Sequence, residues 1–367
     1  MGDKMDKSKK QFLQLLRVSL FGGDLEFQDN ENIKWDEIYE LSEIHKVIPM
    51  IYEVICNLES FQNYDEKLQD QWQSMSNTTS FGQMHKTNRF LALYEELVKK
   101  NITPIILKGL TLSLIYPNEY KRNYMNEEML IKEEDLEECE QILVSNGFER
   151  KIAKEGKEGI YIYHCDSTGL FLHIHTSLFD DNIKFEEVSK DIFKNVWEDE
   201  DGVVLNINGV DIYTLSIDKH LLYIIFSAIN DLKNNSMRIR QICDIIMYIN
   251  SYHYKINWNF IWRKISNIGL ENLLVDFLQI GIEELGLNEG KITYPRKKSS
   301  YNINTIYLLE EILGGGFYGN WEEEYLYNEL DDELLDEVDY FDTLLEEKNY
   351  NSFFKKSRLL LNKVFAL

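Results

Sequence analysis

The alternation of apolar and polar positions divides the chain into a helical beginning, a strand-rich middle and a helical end. Over residues 8–100 apolar side chains recur every three or four positions. Phe12, Leu15 and Leu16 form one set; Ile38, Leu41, Ile44 and Val47 a second; Phe90, Leu91, Leu93, Leu97 and Val98 a third. One apolar face per turn is what a helix packed on a core requires. The stretch 69–100 has no proline and predicts one long helix. The period changes at Ile102-Thr103-Pro104-Ile105-Ile106-Leu107, a β-branched run that predicts a buried strand. Lys108-Gly109 reads as the turn after it, and 110–116 as a helix stopped by Pro117. Met129-Leu130-Ile131 reads as a strand. Residues 133–146 read as a helix with acids in its first turn and Gly147 just past its end.

Two hairpins follow. Segments 160–165 and 170–175 are joined by Asp166-Ser167-Thr168-Gly169, and 203–214 folds back around Asn208-Gly209. Helical spacing returns at 218–231, 236–251, 258–267 and 270–286, while the polar stretch 287–300, with Pro295, reads as a linker or exposed loop. Residues 321–347 carry 13 acidic side chains and no Lys or Arg, and read as a solvated acidic helix face. Residues 353–361 read as a short basic amphipathic helix. The expected class is α+β, a small mixed sheet flanked by helices. The divisions are a helical region over 1–100, an α/β core over 101–215, a second helical region over 216–290, and a linker with acidic helical tail over 291–367.

Charge narrows the partners. Lys and Arg number 39 against 63 Asp and Glu, a net charge of −24. Such a field repels phosphate backbones and anionic lipid, so extended nucleic acid and membrane surfaces are poor partners, although a local basic pocket for one nucleotide survives this argument. The absence of a long apolar run predicts no membrane span and no export signal. Four scattered cysteines without a CxxC pair predict free thiols and a cytoplasmic location.

The chemistry concentrates between Ile105 and Leu178. Strand, Lys-Gly turn and helix, then strand, helix and hairpin, is the order that nucleotidyl transfer of the polymerase-beta type requires. A tight turn before a helix offers backbone N–H groups to a triphosphate. Carboxylates at i and i+2 of a strand share one face and hold Mg²⁺, and a third on a neighbouring strand completes a two-metal site. The motifs are Leu107-Lys108-Gly109, then Arg122 with Asn126 and Glu128, then His173-Ile174-His175. In order and spacing they resemble an uncharacterised bacterial nucleotidyltransferase-like family. Its pattern is LKG, then R-x-x-x-D-x-D and a hydrophobic strand, then D/E-x-H. Residues 45–52 and the run from Arg240 to Asp244 resemble the flanking helical elements, so the likeness covers about residues 10–290. It implies an NTP with Mg²⁺ or Mn²⁺, phosphate contacts from Lys108, Gly109 and Arg122, and catalytic, metal-holding roles at Asn126, Glu128 and His173.

The departures from that pattern carry as much weight as the matches. Asn126, Glu128 and His173 stand where the family expects three carboxylates, so about one negative charge remains of about three. Mg²⁺ then loses most of its electrostatic reason to bind. Glu127 is no substitute, because alternation sends it to the other face. Either phosphoryl chemistry is lost, or the site is rebuilt. With Cys165 opposite Leu170, His164 joins His173 and His175 on the face of Glu128, a donor set suited to Mn²⁺ or Zn²⁺. Plainer roles compete: Lys108 at the surface, Arg122 in a solvated loop, Glu128 at a solvated strand end, His175 as a structural histidine. Arg240 and Asp244, at i and i+4, would form a helix-face pair or line the cleft. Asp166 reads as a cap, and Asp180 or Asp181 as loop residues able to supply a missing carboxylate. Two functions follow. The first is transfer of a nucleoside monophosphate from an NTP to a small-molecule, peptide or protein acceptor, releasing pyrophosphate. The second is a catalytically silent binding or scaffold protein that engages a nucleotide, peptide or protein partner.

Overall fold

The computed structural model describes residues 5–29, 33–151, 159–178, 186–198, 202–234, 236–301 and 305–315. Asp180, Asp181, the acidic stretch 321–347 and the basic segment 353–361 lie outside the described residues. Five helices come first: α1 (Lys7–Phe21), α2 (Trp35–Ile44), α3 (Ile48–Ile55), the short α4 (Glu59–Gln62) and the long α5 (Glu66–Lys99). The middle contains β1 (Ile105–Lys108), the one-turn α6 (Leu110–Ser113), β2 (Asn126–Leu130), α7 (Leu136–Ser145), β3 (Glu149–Lys151), β4 (Ile160–Cys165), β5 (Leu170–His175), α8 (Glu186–Phe193), β6 (Val203–Ile207) and β7 (Val210–Thr214). Helices α9 (Ile217–Lys233), α10 (Ile239–Tyr252), α11 (Trp258–Asn267), α12 (Glu271–Glu283) and α13 (Thr305–Gly315) complete the described chain.

The seven strands form one mixed sheet in the order β3-β4-β5-β2-β1-β7-β6. β2 runs parallel to β5 and β1 parallel to β7; the other neighbours are antiparallel. One face, with Met129, Tyr163, Leu172 and Ile174, packs on Phe90, Leu97 and Leu143 of α5 and α7. The other face, with Ile105 and Leu130, joins a larger core that includes Phe12, Trp35, Leu221, Ile245 and Phe277. Helices from both ends of the chain therefore share one core against the same side of the sheet. The class is α+β, as the pattern predicts. The β4–β5 hairpin keeps Cys165 opposite Leu170. The β6–β7 turn places Asn208 and Gly209 at φ +50 and +88, the left-handed pair that a tight two-residue hairpin needs.

Local pattern misjudged two places. Lys108 ends β1 instead of opening the turn, and β2 begins at Asn126, before the apolar run. Both extensions are polar residues held by tertiary partners that spacing cannot reveal. The 287–300 segment, read as a linker or exposed loop, is largely exposed but anchored: Ile292 is buried, and the Trp262 indole Nε1–H donates to the Thr293 carbonyl at 2.7 Å. The short β3, α8 and α13 carried no signal strong enough to be expected.

One buried ion pair ties the sheet to the C-terminal helices. Arg122 is only 2% exposed. Its Nε and Nη2 donate to the two oxygens of Asp244 on α10, at 2.7 and 2.9 Å, and its Nη1 donates to the Gly109 carbonyl at 3.1 Å. The Tyr116 hydroxyl adds a bond to Asp244 at 2.6 Å. Burial alone would raise the Asp244 carboxyl, but the Arg122 guanidinium holds it below its ordinary value. The pairing expected within α10 is thereby redirected: Asp244 is forked by Arg122, while Arg240 donates to the Asn123 carbonyl. Replacing Asp244 by Ala strands a buried guanidinium. The expected loss is about 3–5 kcal/mol of unfolding free energy, measured by chemical denaturation.

Candidate functional site

A bulge in β1 sets the site. Ile105 faces Leu130 and Ile106 faces Met129 across β2, but it is Lys108 that meets Glu128. The extra residue turns Lys108 onto the Glu128 face, where strict alternation would have sent it the other way. β2 pairs in parallel with β5, so Glu128 meets His173, and β4 then sets Ile162 opposite His173. Directly opposed residues share a face, so Lys108, Glu128, His173 and Ile162 form one row across four strands. Asn126, Phe171 and His164 form the row on one side; Leu130, His175 and Ile160 form the row on the other.

Helix α9 covers this face. Tyr223, Ser227 and Asp231 recur every four residues and so share one side of the helix. The Tyr223 hydroxyl donates to Glu128 Oε2 at 2.6 Å. Lys108 Nζ donates to Ser227 Oγ and stands 3.8 Å from Glu128 Oε1. Asn126 Nδ2 reaches the same Oε1 at 3.3 Å. The Lys108 and Glu128 side chains keep 18% and 16% of their exposure, enough to be reached from solvent. Burial would raise the Glu128 carboxyl, but Lys108, His175, His173 and the Tyr223 hydroxyl outweigh it and hold the group at about 2. A carboxylate so weakly basic is a poor general base near neutrality. Asp231 adds a second acid. Burial pushes its carboxyl up against the pull of Lys108 and of the Gln241 amide, which donates to it at 2.8 Å. These α9 residues were missed from sequence, although a polar stripe at four-residue spacing in an otherwise apolar helix was a signal for them.

The turn after β1 is closed from both faces of the sheet. Gly109 has φ +82, and a Cβ there would lie 2.1 Å from Glu127 Oε2. Glu127 is fully buried on the face opposite Glu128, and its two oxygens accept the Leu110 N–H at 2.9 and 3.2 Å. The N–H group expected to meet phosphate is therefore held by protein. Arg122 is likewise committed, to Asp244 and to the Gly109 carbonyl. Of Lys108, Gly109 and Arg122, it is Lys108 whose side chain reaches the row. His164 stacks on Phe171, with centroids 4.0 Å apart, and its Nδ1 lies 2.8 Å from Asp166 Oδ1. A surface groove of about 610 Å³, between the end of α1, Glu53 and Pro117, includes none of the row.

The donor set does not fit a hard divalent cation. Among the described residues no three His, Cys, Asp or Glu side chains gather closely enough to hold a metal ion. Around Glu128 stand the Asn126 amide, the Tyr223 hydroxyl, the imidazoles of His173 and His175 and the Lys108 ammonium 3.8 Å away. Lys108, 3.8 Å from Glu128 Oε1, would repel a dication held by that carboxylate and offset part of its attraction. Mg²⁺ also requires a near-octahedral oxygen shell, which this row lacks.

The mixed sheet, the Lys-Gly turn and the helical cover together define a protein of the nucleotidyltransferase type. A sequence profile of the family described as uncharacterised nucleotidyltransferase matches residues 31–280, and the chain belongs to that family. Membership implies a nucleotide as substrate. Among solved structures, an antigenic nucleotidyltransferase-like protein from Paracoccidioides brasiliensis is similar at 17% identity and a TM-score of 0.36, over 56% of this chain and 93% of that one. No curated protein matches the chain. No helix among the described residues is long and apolar enough to cross a membrane.

Two outcomes test this geometry. Gly109→Ala drives a methyl into Glu127 and forces an L-residue to positive φ. The expected loss is about 2–4 kcal/mol in chemical denaturation, from backbone strain plus a displaced buried hydrogen bond. Glu127 sets a pH dependence. Burial raises its carboxyl from 4.5 to about 7, against the opposing pull of Leu110 N–H, Tyr124 and Arg122. The folded state therefore holds this proton more tightly than the unfolded one. The stability so contributed is full below pH 4.5 and is lost as pH rises through about 7. Glu127→Gln keeps an acceptor for Leu110 N–H. Its denaturation midpoint should vary less between pH 5 and 8 than that of the natural protein, and equal slopes would count against a buried proton at Glu127.

Proposed function

We propose that this chain is a nucleotide-binding protein of the nucleotidyltransferase fold in which metal-assisted transfer has lapsed. The observation that carries this reading is the engagement of Glu128. The one acid left at the expected metal positions is already met by Lys108, Tyr223 and Asn126. Two-metal transfer needs carboxylates that hold cations against the attacking and leaving oxygens. Asn126 and His173 cannot do this, and Glu128 at about 2 is too weak a base to activate an acceptor. The nucleotide lies over the row beside α9, its phosphates toward Lys108 and the imidazoles of His173 and His175. Bound there, it or the cleft itself engages a small molecule, peptide or protein partner. The free thiols Cys56, Cys139, Cys165 and Cys243 accord with a reducing cytoplasm.

One observation favours the second reading, transfer of a nucleoside monophosphate to an acceptor hydroxyl, amine or carboxylate with release of pyrophosphate. Asp231 brings a further carboxylate within electrostatic reach of Lys108 and Glu128. The two readings separate in one experiment on untagged protein. ATP, GTP, CTP and UTP are titrated calorimetrically, and pyrophosphate release is followed with Mg²⁺ and with Mn²⁺. The expected result is saturable binding of at least one nucleotide with no pyrophosphate formed. Metal-dependent release that Glu128→Gln abolishes would establish the transferase instead.

A further inference from the structure

We propose that the Lys108 row takes the polyphosphate of its nucleotide in metal-free form, with the Lys108 ammonium as the counter-charge that a divalent cation would otherwise supply. The inference rests on the nucleotide-binding reading of this cleft and names the form of the ligand. In a three-carboxylate site with the same lysine, two negative charges remain, and a dication neutralises them. Asn126 and His173 remove two of those charges from this row. Glu128 and Lys108, 3.8 Å apart, then balance each other. A metal–nucleotide chelate would bring a cation against a row with no charge left to receive it. A bare polyphosphate would instead meet a lysine and two imidazoles on the same face.

Lys108 has capacity for such a ligand. Its hydrogen bond among the described residues goes to Ser227, and Glu128 at 3.8 Å lies beyond hydrogen-bond reach. An ammonium carries three donors, so N–H groups remain for phosphate oxygens. The Tyr223 hydroxyl holds the second Glu128 oxygen at 2.6 Å, which keeps that carboxylate turned onto α9. Asp231, the other nearby acid, feels Lys108 and, less strongly, Arg238; it is occupied by the Gln241 amide at 2.8 Å, and burial pushes its carboxyl up, which favours its neutral form. The Leu110 N–H of the turn belongs to Glu127. The side chains of the row are therefore the groups this inference assigns to phosphate.

The test is calorimetric titration of the four nucleoside triphosphates into the untagged full chain, once with a chelator and once with excess Mg²⁺. Binding should persist in the chelator and weaken in Mg²⁺, because the metal competes for the same phosphates. Lys108→Met, checked for folding by circular dichroism, should lose about tenfold in affinity, the worth of one charge-assisted contact. The double variant Asn126→Asp with His173→Asp restores two carboxylates. It should lose chelator-resistant binding and gain stoichiometric Mn²⁺ binding, read by electron paramagnetic resonance. Nucleotide binding by the natural chain that requires Mg²⁺ or Mn²⁺ overturns this inference and leaves the binding function standing. No nucleotide binding in either medium overturns both.

Discussion

The β1 bulge decides what the functional face of the sheet contains. Without the extra residue at Leu107, alternation would point Lys108 to the other face, toward Met129, Leu172 and the buried Glu127, and away from Glu128 and Ser227. With it, Lys108 stands beside Glu128 and under Ser227. The parallel pairing of β2 with β5 then brings His173 into the same row. A shift of one residue in either register would move every one of these side chains to the wrong face. The make-up of this row is thus a consequence of strand register before it is a consequence of any single residue.

Buried charge keeps that register in place. Gly109 is gripped on two sides: Glu127 accepts the N–H that follows it, and Arg122 donates to its carbonyl. Arg122 in turn leans on Asp244 of α10, and Asp231 of α9 takes a bond from Gln241 of α10. Each of these groups has a partner from a different element, and loss of Asp244 would leave the Arg122 guanidinium unpaired in low dielectric. Such networks add little net stability over apolar packing. What they supply here is position: the residue before the turn, Lys108, is delivered to one place by contacts that reach both faces of the sheet.

Much of this was legible in the sequence, and the limits have physical causes. The β4–β5 hairpin, its register and the shared face of His164, His173 and His175 followed from period-two alternation and a four-residue turn. Glu127 was correctly sent to the opposite face, but its role there was invisible, because the Leu110 N–H it receives depends on the Gly109 conformation. Arg122 read as a solvated or phosphate-clamping residue; its burial depends on Asp244, 122 positions away. Asp244 itself matched a helix-face pair with Arg240, since spacing shows which residues can meet on one helix and not which will be met from outside it. The bulge left no pattern at all, because one inserted residue in a four-residue strand is below what alternation can register. The α9 stripe of Tyr223, Ser227 and Asp231 was readable and was passed over, since the surrounding helix is so strongly apolar.

A cleft for an anion sits uneasily in a chain of net charge −24 until distance is considered. At physiological salt the field of an exposed carboxylate fades over about 8 Å, whereas charges a few ångströms apart and shielded from water act almost unscreened. On the proposal above, a phosphate on the row would be governed by Lys108, Glu128 and the imidazoles more than by acids elsewhere on the surface. An extended nucleic acid is different. Its backbone carries phosphates well beyond the reach of one lysine, and the next ones would fall on the acidic exterior, where no counterions are released in the ligand's favour. The same charge that disfavours a long polyanion is therefore compatible with a short one, if, as proposed, its negative charge ends within a few ångströms of Lys108.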